Sequence, residues 1–200
     1  MSGDEKENPK LTPEQEAAVQ RSMQRAGIAQ RYAAGRSLKE FGKPGQNVID
    51  LIRAQNFHGF IKDGGGFSIT GKDPNKAYEF AVMTARAMRI ALIDVRVVSL
   101  ITLLDYLDNS DPEDYQPQTH ERFQNESAIQ GFMIPRFAEP MDSLPLKRAD
   151  FYKIENYLYG RMEEGFSVSV QYSGNLDKSG WWSGYFVSRL QSQNKGITLL

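Results

Sequence analysis

Residues 71–77 read G-K-D-P-N-K-A, and their types and setting suit phosphate chemistry. They follow a short apolar run, FSIT at residues 67–70, and lead into a helix-like pattern over residues 75–89. A phosphate-binding loop has the form G-x-x-x-x-G-K-[ST]. Its glycines let backbone N–H groups wrap the phosphates, its lysine contacts the outer phosphates and its hydroxyl holds magnesium. Gly71 opens the stretch in the right place, and Lys72 and Lys76 supply cations. The rest departs from the pattern. Lys76 comes five residues after Gly71 where six are needed, Asn75 replaces the second glycine, Ala77 has no hydroxyl, and Pro74 removes an N–H. The layout is that of a phosphate loop; the chemistry is reduced.

Hydrolysis also needs an acid at the end of a neighbouring strand, to hold magnesium and polarise water. The third strand candidate, residues 128–134, runs instead into Pro135 and Arg136, with Glu139 beyond the strand end. Metal-dependent hydrolysis is therefore not expected there, and no metal site is expected. An active NTPase would have to rely on Lys72 or Lys76 with acids such as Asp94 or Glu139.

The elements that must position this loop alternate. Residues 13–26 read as a helix, with Thr12 as cap, Pro13 in the first turn and Gly27 at its end. The SLKEF stretch is a short segment, residues 43–46 (KPGQ) a turn, and residues 47–57 a helical pattern. After a glycine turn at residues 63–66, strands are expected at 67–70, 90–98, 128–134 and 166–173. Helices are expected between them at 75–89, from Ser99 over SLITLLDYLDN, and at 149–165, with a final short helix or turn in SGYFVSRLQSQ. Such alternation predicts an α/β fold: a parallel sheet flanked by helices, its ligand crevice beyond the carboxyl ends of the strands. Residues 1–12 read as a disordered tail, 13–45 as an N-terminal helical lead-in and 46–200 as the core.

Composition excludes several functions. The chain has 200 residues, 40% of them hydrophobic, a formal net charge of -1 and no cysteine. Disulfides, thiolate zinc sites and a cysteine nucleophile are ruled out. The neutral total leaves DNA contact to local patches. The N-terminus is polar, unlike a secretory signal, and the longest apolar stretch carries Asp94, Arg96 and Asp105, too interrupted for a membrane span. A soluble cytoplasmic protein is expected.

In the order of its segments the chain resembles the DnaC/IstB-type AAA+ proteins, helicase loaders and transposition helpers. Gly27, Ile28, Arg31, Tyr32, Leu38 and Phe41 are similar to the lead-in of that family. The run from GGGFSITGKDPNKAYEF through LITLLDYL looks like its first strand, phosphate loop, helix, second strand and following helix. The resemblance implies a P-loop NTPase-like core. It also implies a sensor-like asparagine at Asn175, with Arg161 and Arg189 as inter-subunit arginines. With Gly71, Lys72, Asn75 and Lys76 forming a degenerate phosphate loop, it implies a pseudo-ATPase: ATP or ADP bound weakly or not at all, and no magnesium. The partners implied are a replicative helicase, an initiator, a transposase or a related AAA+ subunit, in a homo- or hetero-oligomer.

Other features have two readings. GWWSGYF at residues 180–186 forms either a small satellite core or an exposed surface for stacking on bases. Arg21, Arg25, Arg31 and Arg36 make the early region basic and are the better candidates for DNA phosphates, ahead of Lys147, Arg148, Lys153 and Arg136. His58 and His120 stand far apart, which disfavours a histidine metal site, and DPEDY at residues 111–115 lacks the oxygen spacing of a calcium loop. The Met and Ala residues of 75–89 read as core.

Overall fold

Five short strands form one sheet: β1 (Gly66–Gly71), β2 (Val95–Val97), β3 (Gly131–Ile134), β4 (Ser167–Tyr172) and β5 (Asn194–Leu199), in the order β2-β3-β4-β1-β5. Every pairing is parallel. The computed structural model describes residues 12–33, 37–109, 123, 128–138, 146–174, 176 and 180–200. The expected tail at residues 1–11, Arg36, the DPEDY segment, His120, Glu139 and Asn175 lie outside the described residues.

The helices are α1 (Pro13–Arg25), α2 (Gln30–Ala33), α3 (Lys43–Arg53), α4 (Phe57–Lys62), α5 (Pro74–Ile90), α6 (Leu100–Asp108), α7 (Arg148–Glu163) and α8 (Gly184–Gln193), with a 3-10 turn at Leu38–Phe41. Parallel strands need crossovers, and crossovers are right-handed. From β1 the chain crosses three places to β2, and it then steps back the other way through β3, β4 and β5. This puts α5 on one face of the sheet and α6, α7 and α8 on the other. Two hydrophobic clusters record the two layers. Phe67, Ile69, Val95 and Met133 join Ala77, Phe80, Ala81 and Ala85 of α5, while Phe132, Ile134, Val168 and Val170 join Leu103, Phe151, Leu158 and Phe186. The small Ala77, Ala81 and Ala85 of α5 recur every fourth residue and line one stripe of the helix. The buried Ser169 hydroxyl accepts from the Phe67 N–H at 3.0 Å, tying β4 to β1.

The N-terminal segment shares the α5 layer. Met23, Ala26, Ile28, Leu38 and Val48 are buried in the same cluster as the sheet residues, and the boundary expected at residue 45 falls inside α3. The Val97 N–H donates to the Ala26 carbonyl at 2.7 Å, so the chain after α1 covers part of the open edge of β2. Gly27 makes this approach possible. Its φ is +77°, and a Cβ there would lie 2.3 Å from the Val97 carbonyl oxygen.

Several expectations are corrected. KPGQ is the first turn of α3: Pro44 suits that position, and Gly45 serves close packing, since a Cβ would sit 1.7 Å from the Leu38 carbonyl oxygen. The helical pattern of 47–57 breaks at the extended Ala54, and a separate α4 follows. The strand expected at 90–98 shrinks to Val95–Val97, because Ile90 still belongs to α5. The third strand begins at Gly131, and β5 is a strand the sequence did not suggest.

Helices α1, α4 and α7 are each followed by a left-handed residue, and each time it is glycine: Gly27, Gly64 and Gly165. After α5 the same position is Leu92, with φ +63° and a side chain 86% exposed. A leucine there costs about 1 kcal/mol relative to an unstrained backbone and buries almost nothing in return.

Candidate functional site

The expected strand–turn–helix is present. β1 ends at Gly71, Lys72 and Asp73 form the turn, and α5 begins at Pro74. The residue that decides the chemistry is Asp73. Its carboxylate accepts from the Asn75 N–H at 2.9 Å and the Lys76 N–H at 3.2 Å. These helix-start donors would otherwise be available to a phosphate, and Pro74 has none to add. The carboxylate also places a negative charge at the amino end of α5. Gly71 is explained by packing: a Cβ would lie 3.1 Å from that of Leu199 and 3.2 Å from that of Ala77. Ala77, in the magnesium-hydroxyl position, is fully buried. Lys72, Asn75 and Lys76 are exposed.

Beside the loop lies a cavity of about 510 Å³. Phe41, Pro44 and Leu51 form an apolar wall, β5 forms another, and Lys43, Lys76 and Lys195 supply charge, with no acidic side chain in the lining. Of these lysines the sequence singled out only Lys76. Lys195 lies in the unrecognised strand, and Lys43 in a stretch read as a turn.

At the end of β3, the position for catalytic acids, Arg136 adopts φ +58° and places its guanidinium 5.5 Å from the Tyr78 ring centre. The Arg136 N–H donates to the side-chain oxygen of the buried Gln171 at 3.0 Å, and the Phe137 N–H to the Gln171 carbonyl at 2.8 Å. Gln171 shapes this turn, and nothing in its immediate sequence signals that role.

The other charged candidates sit at the opposite edge of the sheet. Asp94, just before β2, pairs with both Arg89 and Arg96; Arg89 also donates to the Ser22 hydroxyl at 2.8 Å, and Arg96 to the Arg25 carbonyl at 3.1 Å. Asp94 is thus a structural hub joining α1 and α5 to β2, far from the loop, which corrects its candidacy as a catalytic acid. Arg161, in the last turn of α7, pairs with Glu164 at 3.1 Å and lies 4.2 Å over Phe166; Arg189 pairs with Glu163 at 3.2 Å. Both arginines lie toward the amino ends of the strands, so neither is placed to serve the loop of its own chain.

Trp182 is buried and stacks on Phe137 at 4.3 Å, and Trp181 stacks on Phe151 at 5.7 Å, so the tryptophans of GWWSGYF belong to the core. Tyr185 is 70% exposed and meets the Tyr159 hydroxyl at 3.0 Å. That hydrogen bond, with neighbouring Glu163, holds the Tyr159 phenol up to about 12. Of the two basic groups, Lys153 is paired with Asp108 and Arg136 lies over Tyr78. Arg21, Arg25 and Arg31 are exposed along α1 and α2, with Arg31 4.7 Å over the Tyr32 ring. His58 is exposed, and among the described residues no three His, Asp or Glu side chains gather as a metal site. Among them too, no helix is long and apolar enough to cross a membrane.

No family model matches the chain, and no curated protein matches it. Among solved structures it is similar to the crystal structure of the DnaC helicase loader. The TM-score is 0.60 at 15% identity, over 86% of this chain and 100% of that one. At that identity the likeness is one of fold: this chain shares with that structure a parallel α/β sheet flanked by helices.

Proposed function

We propose that the protein is a helicase-loading adaptor of the DnaC type that works through contacts rather than through ATP turnover. The observation that carries this reading is the Asp73 carboxylate on the Asn75 and Lys76 N–H groups, at the point where a loader fold would hold phosphate. Buried Ala77 and the Arg136 turn agree with it, since neither offers a magnesium ligand. In this reading the partner is a replicative helicase. Arg21, Arg25 and Arg31 supply phosphate contacts to DNA, and Arg161 and Arg189 act on a neighbouring subunit.

The test is loading of purified replicative helicase onto single-stranded DNA, with wild-type protein and with Lys76→Ala, each with and without ATP and magnesium. The reading expects loading by both proteins, independent of added nucleotide at the adaptor. Absence of any effect on the helicase, or magnesium-dependent turnover lost in Lys76→Ala, would contradict it.

A further inference from the structure

Among the described residues β5 ends the sheet, with β1 on one side and no strand on the other. The cavity of about 510 Å³ beside it is lined by Lys195, Gly196, Ile197, Thr198 and Leu199, five successive residues of β5. Successive strand residues point to opposite faces, so a cavity that meets all five runs along the outer edge of the strand. Such an edge carries backbone N–H and C=O groups that have no partner in the sheet. Phe41, Pro44 and Leu51 add an apolar wall.

Gly196 is not explained by the fold. Glycine weakens a strand interior, and close packing is the usual reason for it there. A Cβ at Gly66, Gly71 or Gly131 would come within 2.8, 3.1 and 3.0 Å of a neighbouring atom. A Cβ at Gly196 would meet nothing within 4 Å, and its φ is not left-handed. An uncovered glycine on an edge leaves room for a large side chain from a strand laid beside it.

The charge of the cavity is one-sided. Lys43, Lys76 and Lys195 are exposed and line it, and among the described residues none of the three is in an ion pair. No acidic side chain lines it, in a chain whose net charge is -1. The Asp73 carboxylate, three residues before Lys76, is engaged by the start of α5.

We propose that the outer edge of β5 takes up an extended acidic segment of a partner protein as a sixth strand. The backbone of the segment pairs with the edge, apolar side chains on one of its faces cover Phe41, Pro44 and Leu51, and its carboxylates meet the lysines. Nucleic acid would satisfy the lysines but has no backbone that continues a sheet. The β5 strand of a second copy, NKGITL, would bring another lysine and no carboxylate. The proposal rests on this edge and not on the helicase-loading reading.

The probe is a fluorophore-labelled synthetic peptide, EEVYVIEE, beside a twin with lysines in place of the glutamates. Two further versions carry N-methyl groups on alternate amides, one version for each set. Fluorescence polarisation with the full chain should show binding of the glutamate peptide, weaker at high salt, and none of the lysine twin. Only one of the N-methylated versions should bind, because a strand turns alternate N–H groups toward the edge it pairs with. Lys195→Glu should weaken binding by about tenfold. Gly196→Val should weaken it to a similar extent while leaving Tm unchanged or higher, since valine suits a strand better than glycine does. A glycine kept for folding alone would show the reverse, a lower Tm and unchanged binding. That result would overturn the proposal, as would equal binding of the twins, no binding of either, or the same outcome for both N-methylated versions. So would dimers of the protein that the peptide disperses, since the occupant would then be a second copy, or a single-stranded oligonucleotide bound where the peptide is not.

Discussion

At the amino ends of the strands, charged side chains are matched to one another. Asp94 sits between two arginines whose side chains are only 14% and 11% exposed, and Arg189 meets Glu163. At the carboxyl ends the charges are unevenly shared. Asp73 closes the helix start, while Lys76 borders an open cavity that runs back along β5 to Lys195 and has no acidic side chain in its lining. The first edge is built to hold α1 and α5 in place. The second carries a strand–turn–helix whose first helical N–H groups are taken by the chain's own Asp73 carboxylate. A charge named from sequence therefore means little until its edge is known.

The largest effect should come from the amino edge. Asp94→Ala strands two poorly exposed guanidinium groups and should cost about 3 kcal/mol, seen as a lower midpoint in urea. A loss under roughly 0.5 kcal/mol would mean the arginines are held by their other partners, Ser22 and the Arg25 carbonyl, and the edge is less interdependent than described. Next in size is Asp73→Ala, which removes a helix cap worth about 1 kcal/mol. It should also free the Asn75 and Lys76 N–H groups, so millimolar phosphate should restore stability in the variant and leave the wild type unchanged. An equal response in both would break the contrast between the edges.

Arg189→Ala should change stability by no more than roughly 0.5 kcal/mol, since its ion pair with Glu163 is solvent-screened. A larger loss would give this arginine a structural duty and weaken its case as an inter-subunit group. The smallest effect concerns Tyr159, whose phenol is held up to about 12 by its bond to Tyr185. A raised pKa stabilises the fold fully below the ordinary tyrosine value of about 10, and that contribution is lost as pH rises from there through about 12. Tyrosine absorbance titration should show one late phenol in the wild type and none in Tyr159→Phe.

The sequence made the alternation legible because each parallel strand is a short apolar run and each crossover a periodic helix. It revealed the loop's position and its missing hydroxyl, and both follow from residue identity alone. It did not reveal Asp73, because a capping carboxylate and a solvated turn residue look alike until the backbone shows where the N–H groups point. Asp94 read as a possible catalytic acid and Arg96 as a charge interrupting an apolar run, and only the close approach of α1 through Gly27 and the packing of α5 turn them into a hub. β5 was missed because NKGITL opens with polar residues and a glycine, a pattern that suits an edge strand with little to bury. Lys195 was lost with it, and so was one wall of the cavity.

The most direct measurement is calorimetric titration of the wild-type protein and Asp73→Ala with ATP and with ADP, with and without magnesium. No binding to the wild type is expected at millimolar nucleotide, and weak, magnesium-independent binding to the variant. Clear magnesium-dependent binding to the wild type would contradict it and make the loop a working nucleotide site.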